Sequence, residues 1–112
     1  VKYSGLDAMK EMNAAVEKMR ERKIARIGIY QVSAIRDYLS GIRTSDEGQS
    51  ELDIKGVNCV YYELLSGGFV CLRPSGTEPK LKIYYSIKSK DKTHAEKQLE
   101  EMKADFMKML QE

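Results

Sequence analysis

Residues 58–88 read NCVYYELLSGGFVCLRPSGTEPKLKIYYSIK, and their pattern decides the fold. Asn58–Leu65 and Phe69–Arg73 are rich in Val, Tyr, Phe and Leu, and Ser66, Gly67 and Gly68 stand between them, so they predict two strands joined by a hairpin turn. Lys80–Lys88 alternates cleanly. Leu81, Ile83, Tyr85 and Ile87 share one face, and Lys80, Lys82, Tyr84 and Ser86 the other, as in a half-buried strand. With this hairpin, Cys71 is expected opposite residues near Tyr62–Leu64 and away from Cys59, leaving two separate reduced thiols.

Upstream, residues 5–22 predict a helix whose apolar stripe is Leu6, Met9, Met12, Val16 and Met19, with Gly5 and Asp7 at its start. From Ile27 to Leu39 the two alternating sets each mix apolar and polar residues, so the strand predicted there has no clear inner face. Residues 40–56, with Ser40, Gly41, Ser45, Asp46, Gly48, Ser50 and Gly56, read as a long polar connection in which Arg43 and Thr44 have no evident role. Downstream, Lys92–Gln111 predicts a helix that buries Ala95, Leu99, Met102, Phe106 and Leu110, with His94 solvated in its first turn.

The expected order is α-β-β-β-β-α. Antiparallel sheets commonly carry helices on one face, so the fold class is α+β: two helices on a four-stranded, mainly antiparallel sheet. No repeat or linker divides residues 1–112, a length suited to one domain. The chain starts at Val1 and not Met, which is expected of a piece of a longer protein. No apolar run approaches the roughly 18 residues of a membrane span. Two Cys and one His leave little room for a disulfide scaffold or a structural zinc site.

Both prolines of the chain lie in Arg73-Pro74-Ser75-Gly76-Thr77-Glu78-Pro79, between two strands. The Arg73 guanidinium offers paired donors that match a phosphate or carboxylate. Ser75 and Thr77 add short hydroxyls, Gly76 allows positive φ and close approach of a ligand, and the successive amides of Ser75 to Glu78 could curl into an anion-binding nest. From Arg73 to Lys90 there are five basic residues (Arg73, Lys80, Lys82, Lys88, Lys90) against Glu78, whereas the whole chain is net +2. Positive charge is thus gathered at this loop, where it would concentrate an anionic ligand. On the residues alone, a phosphate-binding loop and a plain rigid turn are both open.

The run Arg73 to Lys80, followed by Leu81-Lys82-Ile83-Tyr84-Tyr85, resembles the C-terminal domain of the α-D-phosphohexomutases, most closely that of bacterial phosphoglucomutase/phosphomannomutase proteins. The Gly-Gly turn, the element order and the closing helix extend the likeness over most of the chain. The resemblance implies a TATA-binding-protein-like domain and a loop, Arg73, Ser75, Gly76 and Thr77, that holds the substrate phosphate not being transferred. Glu78 would orient Arg73 or a neighbouring lysine, and Lys80 and Lys82 would give electrostatic support. The reaction implied moves a phosphoryl group between O1 and O6 of a hexose, through an enzyme phosphoserine, Mg²⁺ and a hexose 1,6-bisphosphate. Neither a phosphoserine loop nor an aspartate cluster for Mg²⁺ is recognisable here, so those parts are expected in other domains of the same cytoplasmic enzyme, and this chain alone is expected to be inert. Glucose phosphate is the first expectation for substrate, then mannose phosphate, then pentose and glucosamine phosphates.

Two other readings differ in class. A free-standing phosphosugar-binding regulatory domain would use the same loop without catalysis. A nucleic-acid module is suggested only by Tyr61, Tyr62, Tyr84, Tyr85 and nearby lysines. The small net charge and an element order unlike that of an RNA-recognition domain argue against it, so no nucleic-acid partner is expected.

Overall fold

The computed structural model describes residues 1–89 and 91–112; Lys90, counted above among the basic residues, lies outside them. The elements are α1 (Ala8–Glu21), β1 (Arg26–Ile27), β2 (Tyr30–Asp37), β3 (Ile42–Ser45), β4 (Gly48–Glu51), β5 (Val60–Leu64), β6 (Gly68–Pro74), β7 (Leu81–Ile87) and α2 (Lys92–Gln111). The sheet runs β4-β3-β2-β5-β6-β7, with β1 paired to β2, and every named pairing is antiparallel.

The α+β class is as expected, but the sheet has seven strands and not four. The expected core, β2-β5-β6-β7, is present, and β1 and the β3–β4 hairpin extend it. This hairpin replaces the long connection read at 40–56. Its signal is weak because β4 is exposed at every position and β3 only half-buried, so ladder hydrogen bonds, not apolar burial, hold it in place. The mixed faces of β2 have a similar explanation. Its register with β5 shifts between Val32 and Ala34, and the irregularity lets Val32 and Ile35 both pack on the core although their spacing is odd.

Both helices cover one sheet face. Met12, Val16 and Met19 of α1 and Met102, Phe106 and Leu110 of α2 form one core with Val60, Tyr62, Leu64, Val70, Leu72 and Leu81. Tyr62 and Tyr85 meet Phe106 edge to face, with ring centroids 5.9 and 6.1 Å away. The α1 stripe starts later than its spacing suggested: Ala8 is buried, whereas Leu6 and Met9 are exposed. Asp7 is the N-cap residue but makes no side-chain cap bond. In α2 the Asp91 carboxylate accepts from the Thr93 amide at 2.9 Å and pairs with His94, so His94 is an exposed residue tied to the cap.

The β5–β6 register corrects the expectation for the cysteines. Gly67 N donates to Leu64 O at 3.0 Å, so the turn begins at Leu64, and Gly67 and Gly68 both adopt positive φ. The partner of Cys71 therefore lies one residue outside the expected range Tyr62–Leu64. Cys71 lies opposite Tyr61, and its Sγ is 3.2 Å from that of Cys59. The two thiols are free, as expected, but adjacent.

Candidate functional site

The loop at 75–80 leaves the sheet between β6 and β7. Its base is narrow. Ser75 N donates to Lys80 O at 2.8 Å, and Lys80 N donates to Glu78 O at 2.7 Å. The chain's first residues run alongside. Val1 and Leu81 exchange two hydrogen bonds, at 3.0 and 2.7 Å, and Tyr3 N donates to Pro79 O at 2.8 Å. The loop's outgoing limb is thus tied to residues 1–3, a relationship with no sequence signal, because those residues carry no strand pattern.

Inside the loop, Ser75 Oγ accepts from the amides of Thr77 (3.4 Å) and Glu78 (3.3 Å). Two amides of the expected nest are therefore already engaged, weakly, by a hydroxyl, as in Ser/Thr turns. Gly76 adopts an ordinary backbone conformation. Its φ is not positive, and a Cβ there would meet nothing within 4 Å. Its backbone conformation does not require glycine, but the space above it is open.

Arg73, next to last in β6, lies on the sheet face opposite the helices, directly across from Lys82 of β7. Both side chains are exposed. Among the described residues, no hydrogen bond or ion pair engages the Arg73 guanidinium, and none joins it to Glu78. Glu78 is exposed and Lys80 half-buried. The structure thus brings Arg73, Lys82, Ser75 and the open loop together at one end of the sheet, with the two cations at opposed positions of neighbouring strands and no ion pair to either among the described residues. A dianion placed there would relieve their repulsion.

The rest of this face is built differently. Glu63 accepts from Arg43 at 2.7 and 3.0 Å and from Arg36 at 2.8 Å, and Arg36 lies 4.5 Å from the Tyr61 ring centre. Tyr61 in turn stacks on Phe69 with centroids 4.9 Å apart. The Arg43 hydrogen bonds, with help from Arg36 and against partial burial, hold the Glu63 carboxyl down at about 2. Arg43 thus ties β3 to β5, a role hidden while 40–56 read as a loop. Tyr62 and Tyr85 point into the core and Tyr61 is covered, which leaves Tyr84 as the exposed ring of the four tyrosines.

A cleft of about 390 Å³ lies at the other edge of the sheet, lined by residues that include Arg20, Lys23, Ile35, Ile42 and Gln49 and by none of the loop. Among the described residues, no group of three or more His, Cys, Asp or Glu side chains is placed to hold a metal ion. The side chains present do not fit Mg²⁺, so no step involving it is assigned to them. No described helix is long and apolar enough to cross a membrane.

Residues 7–107 match the family described as phosphoglucomutase/phosphomannomutase, C-terminal domain. The chain belongs to this family. It is 37% identical over 86 residues to a phosphoglucomutase of Staphylococcus aureus (strain bovine RF122 / ET3-1), covering 75% of this chain and 15% of that protein. It is 34% identical over 87 residues to a phosphoglucomutase of Staphylococcus haemolyticus (strain JCSC1435), covering 76% of this chain and 16% of that protein. No solved structure matches it significantly. The chain therefore spans about one-sixth of the length of these relatives.

Proposed function

We propose that this chain is the C-terminal domain of a longer cytoplasmic phosphoglucomutase/phosphomannomutase, an isomerase, and that its loop grips the phosphate that is not being transferred. The relatives' names support the enzyme class, and the free thiols fit a reducing compartment. The observation that carries the loop's role is the exposed Arg73 guanidinium, without a partner among the described residues, across from Lys82 at the mouth of an open loop. Arg73 would take two phosphate oxygens through its fork. Lys82, and more weakly Lys80, would add charge, and Ser75, Gly76 and Thr77 would supply hydroxyl and amide donors.

Such a grip suits transfer between O1 and O6 of glucose phosphate through the 1,6-bisphosphate. The sugar must be held in two orientations, and donors that read only a phosphate do not distinguish the carbon that bears it. The binding free energy of the distal phosphate then orients the reacting end. Mannose phosphate would be held in the same way, so this domain does not select the sugar. The phosphoserine and the Mg²⁺ site are assigned to the remaining domains.

The test is steady-state kinetics of the whole enzyme. Arg73→Ala is expected to lower kcat/KM for glucose 1-phosphate roughly tenfold to a thousandfold, from the loss of one or two charge-assisted bonds of about 1.5–3 kcal/mol each. Arg73→Lys is expected to recover only part of it, since a point charge lacks the fork. An unchanged kcat/KM in Arg73→Ala removes the assignment.

A further inference from the structure

The early turn at Leu64 sets Cys71 diagonally across from Cys59 on the open sheet face, with 3.2 Å between the sulfurs. A disulfide needs about 2.05 Å, a difference that small side-chain rotations on neighbouring strands would cover. Cys59 is 7% exposed, whereas Cys71 is only half-buried. Cys71 therefore gives a small oxidant a path to the pair. Arg73, two residues beyond Cys71, and Arg20, which reaches Asn58 and Asp37, place positive charge around the sulfurs.

The geometry points to Cys59 and Cys71 as an oxidisable dithiol, which hydrogen peroxide converts into a disulfide between β6 and the segment leading into β5. Cys59 is the attacking sulfur. Its contact with the Cys71 sulfur, against the effect of burial and with Arg73 and Arg20 nearby, lowers its thiol below the ordinary cysteine value. The Cys59 thiolate forms a bond to one peroxide oxygen as the O–O bond breaks, and the hydroxide released takes a proton from solvent to become water. Cys71 sulfur then attacks the Cys59 sulfenic acid. The S–S bond forms, the S–O bond breaks, and the departing hydroxide leaves with the Cys71 proton as a second water. Two thiols and one peroxide thus give one disulfide and two waters, with both sulfurs oxidised and the peroxide oxygens reduced. A dithiol reductant reverses the bond by exchange. The pair lies beside Arg73, but its oxidation does not depend on what that residue binds.

Peptide mass mapping of the intact, natively folded protein tests this. Trypsin cuts after Lys55 and Lys80 but not at Arg73-Pro74, so both cysteines fall in one peptide, Gly56–Lys80. After peroxide and then iodoacetamide, this peptide is expected to be two hydrogens lighter than the reduced one and to carry no alkyl group. Dithiothreitol is expected to restore two alkylation sites. In Cys71→Ser, peroxide is expected to leave Cys59 as a sulfenic acid that dimedone captures. Full alkylation of both sulfurs after peroxide, or a sulfinic acid on either one with no linked form, overturns the proposal. The wild-type measurement stands by itself if the variant does not fold.

Discussion

Ser75 closes the loop on Lys80, its amide donating to the Lys80 carbonyl at 2.8 Å, while its hydroxyl accepts from the amides of Thr77 and Glu78. One residue thus sets both the width of the loop's base and the direction of two of its N–H groups. Ser75→Ala keeps the first role and loses the second. The two hydroxyl contacts are long, and water reaches Thr77 and Glu78, so the expected stability change is only about 0.5 kcal/mol. The effect should instead appear in loop order and in ligand affinity. Hydrogen exchange at the Thr77 and Glu78 amides is expected to speed up, and KM for the phosphosugar in the whole enzyme to rise about three- to tenfold, equivalent to one net hydrogen bond. Unchanged exchange would show that the hydroxyl does not order these amides.

Glu63 accepts from two arginines on two strands, and its carboxyl is held at about 2. Its unfolded value is near 4.3. Because folding depresses it, the stability it contributes is complete above the unfolded value and is lost as pH falls through the folded one. Glu63→Gln is expected to cost about 1–2 kcal/mol at pH 7, allowing for solvent screening of the partly exposed arginines. The difference between variant and wild type should shrink from about pH 5 down to about pH 2. Urea unfolding of both proteins at several pH values checks this, and a difference independent of pH would mean that the ion pairs are not its source.

Tyr62 is fully buried, and its hydroxyl has no hydrogen-bond partner among the described residues. Burial pushes the phenol well above its ordinary value, so it stays protonated. The ring fills the core against Phe106, while the hydroxyl is desolvated without return. Tyr62→Phe keeps the ring and removes the unsatisfied group, and is expected to be neutral or stabilising by up to about 1 kcal/mol. A loss of more than that on thermal or urea unfolding would reveal a bond made by the hydroxyl.

The parts of the fold that bury apolar side chains at regular spacing were legible in the sequence. Leu81, Ile83, Tyr85 and Ile87 share one face of β7, and Met102, Phe106 and Leu110 line α2 as the spacing required. The β3–β4 hairpin was not legible, because Ile42–Glu51 buries almost nothing and is held by backbone pairing with β2. Nor was the β5–β6 register. Ser66-Gly67-Gly68 announces a turn, but whether it opens at Leu64 or Leu65 depends on which glycine takes which positive φ, and the answer decides whether the two thiols touch.

Gly67 and Gly68 both carry positive φ, at +94° and +90°, yet they stand in different surroundings. A Cβ on Gly67 would meet the Lys88 side chain, with Cδ at 2.7 Å, and that flexible chain can swing away. A Cβ on Gly68 would run into the Ser86 carbonyl oxygen and come within 2.9 Å of the Ile87 Cα, both backbone atoms of β7. Gly68 also pairs with Ile87 in the ladder, so the clash cannot be relieved without opening the β6–β7 pairing that carries Arg73 opposite Lys82. Gly67→Ala is therefore expected to cost only the conformational strain, about 1–2 kcal/mol. Gly68→Ala adds overpacking of about 1–3 kcal/mol to that strain. Urea unfolding of the two variants side by side should place Gly68→Ala lower by at least about 1 kcal/mol. Equal losses would mean that strain alone sets the cost and that β7 yields to the added methyl.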